Sequence, residues 1–365
     1  MPASANQLAA QVLTTGAKIS RDMQALPVHV GGRVAVMPKS RGAAAYAHQW
    51  PGTYFEAAFS GDEVVLKFDD KGNEYRLLID DEPPIAIPPP GQATIRVGQL
   101  APGPHRLRLE KLTENDGARG IFGGFYVAKD AVPQSVAPRA RQIEFIGDSS
   151  MTGFGVRSGK PQCTTAEAQR TTDTQSAYPV LVAKHFDADY QINAISARGV
   201  ARNYAGMAPG REIPQVYPYT FFDMTVPYAD PAWRPKVIVL KLNADFVGAL
   251  RPDEKWKDFG EVAVDYGKAY GAFIAELHRR SPSSAFLIWW FDTGRMGDPR
   301  ARQLIDSAQQ TIRDAARTAG AQHLDFLNAT GLPLAGNACG HYSPADQRKL
   351  ADWLIGYLDA HPAIW

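Results

Sequence analysis

The run Gln142-Ile143-Glu144-Phe145-Ile146-Gly147-Asp148-Ser149-Ser150-Met151-Thr152-Gly153-Phe154-Gly155 decides how the rest of the chain is read. A short apolar stretch ends abruptly at Gly-Asp-Ser, and small residues follow. That is the pattern of a buried strand stopping at a tight turn. Ligands of open α/β sheets bind beyond the carboxyl ends of the strands, so a hydroxyl at this turn is well placed for chemistry. The same tripeptide can also be simple strand-end punctuation, and its meaning rests on partners elsewhere in the chain.

Downstream of this run, apolar strands alternate with amphipathic helices. Strands are expected at Ile143–Ile146, Gln191–Ile195, Val237–Leu242, Ala285–Trp290 and His323–Leu327, and helices at Ser176–His185, Trp256–Arg280, Arg300–Ala319 and Ser343–Ala360. In the last helix Leu350, Trp353, Leu354 and Tyr357 form one stripe. Ser343-Pro344-Ala345-Asp346 opens it with a capping serine, a proline at the first helical position and an early acid. Such alternation predicts a parallel sheet with helices on both faces.

Upstream the pattern changes. Tyr54–Phe59, Val64–Phe68, Tyr75–Asp80, Thr94–Val97, His105–Glu110 and Gly124–Val127 are short β-rich runs separated by glycine and proline turns. The period-2 alternation of His105–Glu110 puts Leu107 and Leu109 on one face. A β-sandwich or jelly roll is expected. Ala3–Thr14 reads as weakly helical. The expected organisation is an N-terminal segment 1–30, a sandwich 31–131, a proline-containing linker 132–141 and an α/β domain 142–365.

Composition narrows the function. The 365 residues carry 39 Lys and Arg against 38 Asp and Glu, so no global field favours nucleic acid or an anionic membrane. No stretch approaches the ~18 consecutive apolar residues of a membrane span. Met1–Lys18 lacks the basic start and apolar core of a secretory signal. The two cysteines, Cys163 and Cys339, have no zinc-site spacing. They are either two free thiols or one long-range disulfide. Cys339 lies two residues before His341, and Cys163 follows Ser149 by 14 residues, so a meeting of serine and histidine would bring the cysteines together too.

A nucleophilic Ser149 needs a base and oxyanion donors. Of eight histidines, His341 alone stands in a glycine-bearing loop directly before a well-capped final helix. Gly199, after the second strand, permits close backbone approach to a substrate. Asn243, after the third, can donate to an oxyanion, whereas an ionised Asp245 would repel it.

In this order, these segments resemble the four blocks of the SGNH (GDSL-type) hydrolases, with Ser149, Gly199, the Asn243–Asp245 segment and His341 in the block positions. Tyr75–Asp80, Gly103–Glu114, Gly120–Phe125, Val200-Ala201-Arg202-Asn203, Ile213–Pro218 and Trp233-Arg234-Pro235 look like the corresponding stretches of carbohydrate esterase family two, which joins a jelly roll to an SGNH domain. Gapless register from Trp233 puts Asp245 at the family's asparagine, whereas physical chemistry favours Asn243. Ala338 stands where many SGNH enzymes carry the acid of a triad. The resemblance instead implies a Ser149–His341 dyad with the imidazole held by a backbone carbonyl.

The resemblance further implies a carbohydrate O-acetyl esterase acting on acetylated plant polysaccharide of xylan or mannan type. It implies no metal or organic cofactor; charge balance and the lack of an apolar span argue against a nucleic-acid or membrane partner, and a secreted or periplasmic location is expected. Trp290, Tyr217 and Tyr342 are the expected sugar platform. The alternatives are a lipase-like or thioesterase member with another acyl substrate, and a carbohydrate-binding protein that has lost activity.

Overall fold

Strand Arg141–Gly147 lies inside a five-stranded, all-parallel sheet ordered Ala188–Ala194, Arg141–Gly147, Val237–Lys241, Ala285–Trp290, Leu324–Asn328. The computed structural model describes residues 12–38, 43–115, 117–290, 298–329 and 331–365. The expected strands of this sheet and the four long helices are all present, with ends shifted by at most three residues. Neighbouring residues of one strand show why helices cover both faces. Trp289 packs against Tyr178 and Trp353 of the helices Tyr178–His185 and Pro344–Ala360. Trp290, its neighbour, faces the other way onto Tyr266 of the helix Phe259–Arg280. The three central strands are buried on both sides, which explains their nearly continuous apolar runs.

The sheet order also locates a crevice. The strand after Arg141–Gly147 is added on one side of it and the next on the other, so the connections diverge at the carboxyl end of that strand. This is a topological switch point, where open sheets bind ligands. Gly147 is level with Ala194 and Lys241 across the two pairings, so the loops bearing Ser149, Ala197 and Asn243 leave the sheet side by side.

The upstream region folds as two antiparallel sheets. One is ordered Val12–Thr15, Gly91–Gly98, Val64–Asp70, Gly120–Ala128, Ala44–His48, Val34–Pro38, with Met23–Ala25 also on Gly120–Ala128. The other runs Val132–Gln134, Tyr54–Gly61, Gly103–Lys111, Tyr75–Ile79, Ile85–Ile87, with His29–Gly31 also on Tyr54–Gly61. Phe55, Leu77, Leu107 and Leu109 of one sheet share an apolar core with Leu66, Val97, Phe122 and Phe125 of the other. Leu107 and Leu109 point inward as their alternation predicts, whereas Arg106 is exposed.

Three details depart from the sequence reading. Val12–Thr15 is a strand rather than the end of a weak helix, because Gly91–Gly98 offers it an edge to pair with; residues 3–11 lie outside the described residues. Val132–Gln134, in the expected linker, pairs with Ala58–Ser60. Two excursions from the sandwich sequence, Trp50–Gly52 and Leu112–Asp116, belong with Arg139–Trp365 in one compact unit; Met1–Gln49, Thr53–Lys111 and Gly117–Pro138 form the other. Trp50 packs edge-on against Phe222, and its indole N–H donates to the Tyr219 carbonyl at 3.1 Å.

Candidate active site

Ser149 stands at the first position of a single helical turn, Ser149–Thr152. Asp148 caps the turn by accepting the Ser150 N–H at 2.9 Å, and Gly153 closes it in the left-handed region. The Ser149 hydroxyl and N–H are therefore held at the strand end, and that N–H has no acceptor among the described residues.

His341 arrives from the other end of the sequence. Ser343 and Asp346 form a capping box at the start of the final helix, and Asp346 also accepts the N–H groups of Ala335 and Gly336 at 2.9 and 3.0 Å. Between them, Ala338 and His341 exchange two backbone hydrogen bonds of 3.1 and 2.8 Å. The His341 ring lies edge-on to Phe154 and puts Nε2 2.9 Å from Ser149 Oγ. Its Nδ1 is 3.0 Å from the Cys339 carbonyl. A carbonyl can only accept, so Nδ1 carries the proton and Nε2 is left to accept from the serine hydroxyl. A backbone carbonyl thus occupies the place of a triad acid. Cys339 itself has φ 51° and is disulfide-bonded to Cys163, with Cα atoms 4.9 Å apart.

Ser149 and His341 open onto a cleft of about 690 Å³ that Asn243, Ala197, Glu114, Lys241 and Tyr342 also line. Asn243 leaves the third strand, and its side-chain amide has no partner among the described residues. Asp245 does not reach the cleft. It is fully buried and accepts the backbone N–H groups of Val200, Ala201 and Arg202, the last two at 2.7 and 2.8 Å. Burial raises its carboxyl pKa to about 6 against the opposing pull of those three donors. Asp245 therefore ties down the neighbouring turn, and Asn243 is the residue facing the serine's cleft.

Gly199, expected as an oxyanion donor, is corrected by its surroundings. Its N–H is already given to Asn203 Oδ1 at 3.1 Å, and the residue is buried outside the cleft lining. A glycine is required there for packing, because a Cβ would sit 2.1 Å from the Arg202 carbonyl oxygen and 2.4 Å from Asp245 Oδ2. Two residues earlier, Ala197 lines the cleft at φ 65° with its N–H unpartnered among the described residues. A non-glycine residue in the left-handed region carries a strain that the surrounding structure must hold in place. Glu114 does so on one side, accepting Ser196 N–H at 2.6 Å and Ser196 Oγ–H at 2.5 Å; Asp245 does so on the other. No motif singles out Ala197, and Glu114 only closes the stretch Gly103–Glu114; an alanine with a positive φ and a glutamate in a loop have no spacing that assigns them a role.

The expected sugar platform is also redrawn. Trp290, 5% exposed, is part of the core beneath the sheet. Tyr217 is buried too, its hydroxyl donating to Glu144 at 2.7 Å and its ring edge on Phe273. Of the three, only Tyr342 borders the cleft, 5.8 Å from the Lys241 ammonium. Lys241 is buried and donates to Ser150 Oγ at 3.0 Å. Burial pushes its pKa down, but neighbouring Tyr342 and Asp148 more than offset this and leave it raised, so Lys241 keeps its charge at neutral pH. At the rim, Tyr204, Met207 and Val247 are 45, 44 and 44% exposed, half of the large hydrophobics left open among the described residues.

A parallel sheet ordered in this way, with serine, asparagine and histidine from three separate blocks lining one cleft, defines an SGNH-type hydrolase fold. Residues 30–135 match the family model described as "Carbohydrate esterase 2 N-terminal". An acetylxylan esterase / glucomannan deacetylase of Cellvibrio japonicus (strain Ueda107) is 38% identical over 359 residues, covering 98% of each chain. A solved carbohydrate esterase, described as displaying divergent catalytic and non-catalytic binding functions in its active site, is 37% identical with a TM-score of 0.84, covering 94% of this chain and all of that one. A family two carbohydrate esterase from Clostridium thermocellum, solved with cellohexaose, shares the fold at 22% identity and a TM-score of 0.74, over 93% of this chain and all of that one. The chain belongs to carbohydrate esterase family 2 and is a carboxylic ester hydrolase.

Proposed function

We propose that this enzyme removes acetyl groups from xylan- or glucomannan-type polysaccharide, with Ser149 as nucleophile and His341 as its base. The observation that carries the reading is the 2.9 Å approach of His341 Nε2 to Ser149 Oγ, with Nδ1 engaged by the Cys339 carbonyl. His341 takes the hydroxyl proton as Ser149 Oγ attacks the acetyl carbonyl carbon. Charge then develops on the carbonyl oxygen. Three unpartnered donors border the cleft to receive it: Ser149 N–H, Ala197 N–H and the Asn243 amide. Lys241 adds positive potential beneath them. Collapse of the tetrahedral intermediate expels the sugar oxygen, which His341 protonates, and water attacking the acetyl-serine by the reverse route releases acetate.

Tyr204, Met207 and Tyr342 form the surface that meets the sugar rings, since exposed aromatic and apolar faces suit the C–H faces of a pyranose. The disulfide supports a location outside the reducing cytoplasm. The test is acetate release from acetylated xylan and glucomannan by wild type and Ser149→Ala, beside p-nitrophenyl acetate and octanoate. Release that disappears in the variant, with acetate preferred over octanoate, is the expected result. Release unaffected by Ser149→Ala overturns the serine mechanism, and preference for octanoate overturns the acetyl assignment.

A further inference from the structure

We infer that the Cys163–Cys339 disulfide is a positioning element for the base, so that the enzyme works at full rate only when oxidised. The inference rests on the reading of Ser149 and His341 as nucleophile and base. The disulfide acts through one covalent chain. Cys339 bears the carbonyl that holds His341 Nδ1 at 3.0 Å, and it adopts φ 51°, a conformation a non-glycine residue keeps only under constraint. Two backbone hydrogen bonds between Ala338 and His341 close the turn around it, and its other restraints come from the segment 160–163. Its N–H donates to the Lys160 carbonyl at 2.8 Å, the Gly340 N–H donates to the Pro161 carbonyl at 2.7 Å, and its sulfur joins Cys163. Below it, Gly155 leaves the room it needs, since a Cβ there would meet Cys339 Cβ at 2.7 Å.

The other end of the tether is anchored. Thr164, next to Cys163, caps the helix Thr165–Arg170 in a capping box with Glu167, and Lys160 reaches Glu167 at 2.7 Å. Arg157 donates to the Arg170 and Thr172 carbonyls at 3.1 and 2.9 Å. Thr165 and Gln169 of that helix line the cleft. The disulfide thus fastens the histidine loop to a capped helix that forms one wall of the active site. Without it, the loop retains the two Ala338–His341 hydrogen bonds and two to 160–161, but no covalent link opposes relaxation of the positive φ of Cys339. Relaxation turns the Cys339 carbonyl away, and the imidazole loses the group that sets its tautomer. Both cysteines are half-buried rather than sealed, so a small dithiol can reach them. Reduction consumes one dithiol, forms the two protein thiols and leaves the reagent as its cyclic disulfide.

The experiment treats the whole enzyme with dithiothreitol, counts two titratable thiols, and measures kcat and KM for p-nitrophenyl acetate with far-UV circular dichroism at the same temperature. The expected result is a fall in kcat of at least tenfold, KM within about twofold, an unchanged spectrum, and recovery on reoxidation. Cys163→Ala, which leaves the Cys339 backbone in place, is expected to match the reduced enzyme and to ignore dithiothreitol. Unchanged kcat with both thiols titrating overturns the inference. So does a loss of activity that only accompanies loss of the folded spectrum, because the bond would then be a general staple. If Ser149→Ala retains activity, the catalytic reading fails; if it is inactive while the reduced enzyme keeps its rate, this inference alone fails.

Discussion

Replacing Asn243 by alanine separates catalysis from folding at the point where the sequence was ambiguous. The Asn243 amide has no protein partner among the described residues and is half-buried, so truncation orphans no buried group. Stability should change by less than about 1 kcal/mol, as for substitutions outside packed or networked sites. The amide is one of three donors facing the cleft, and removing one such donor typically costs about 2.7–4 kcal/mol of transition-state stabilisation. At about 1.36 kcal/mol per tenfold, that is roughly a 10²–10³ loss in kcat. KM should move little, because the donor meets the oxyanion rather than the ground-state carbonyl. Steady-state kinetics on p-nitrophenyl acetate and an acetylated xylo-oligosaccharide, with urea unfolding alongside, provide the measurement. Asp245→Ala should show the opposite signature. Two buried N–H groups and one partly buried one lose their acceptor, and at about 1–3 kcal/mol for each buried group the fold should lose at least about 2 kcal/mol. The reasoning is refuted if Asn243→Ala keeps kcat within about threefold, or if its loss comes with destabilisation comparable to that of Asp245→Ala.

Tyr204→Ala should raise KM for acetylated oligosaccharide about fivefold, as one exposed aromatic contact is worth about 1 kcal/mol, and leave p-nitrophenyl acetate unaffected. Trp290→Ala should instead destabilise the protein by about 3–5 kcal/mol in urea, with KM per folded molecule unchanged. Stability should also depend on His48, which is buried beside Tyr75 and Asp70. Burial first, then the Lys111 charge, depress its pKa to about 3 despite the pull of Asp70. The unfolded imidazole titrates near 6.5, so the folded state binds fewer protons below that pH. The contribution of the neutral ring is complete above about pH 6.5 and is lost as pH falls toward 3. Urea midpoints at pH 7, 5 and 4 should decline, and His48→Phe should decline less steeply.

The parallel sheet, the two-sheet region and the positions of Ser149 and His341 were legible in the chain itself because each rests on local rules. Period-2 alternation, apolar runs of strand length and a capped final helix are written in neighbouring residues, and Gly-Asp-Ser after an apolar run marks a strand end. The order of the blocks then brought a serine at 149 and a histidine at 341 into one reading. What tertiary structure decided concerns groups whose meaning depends on which atoms face which. Asn243 and Asp245 are two residues apart on one loop, and only the fold directs the first to the cleft and the second onto three backbone N–H groups. Gly199 looked like an oxyanion donor, but its N–H is spent on Asn203, and the free donor is Ala197, whose backbone angle has no sequence signature. Trp290 and Tyr217 have the composition of a sugar platform and the burial of a core. Cys163 and Cys339, 176 residues apart, could have been two thiols; only their meeting beside His341 makes them a bond. Backbone torsion, direction of burial and long-range pairing are properties of the folded chain, so they decide which atoms line the candidate site around Ser149 and His341.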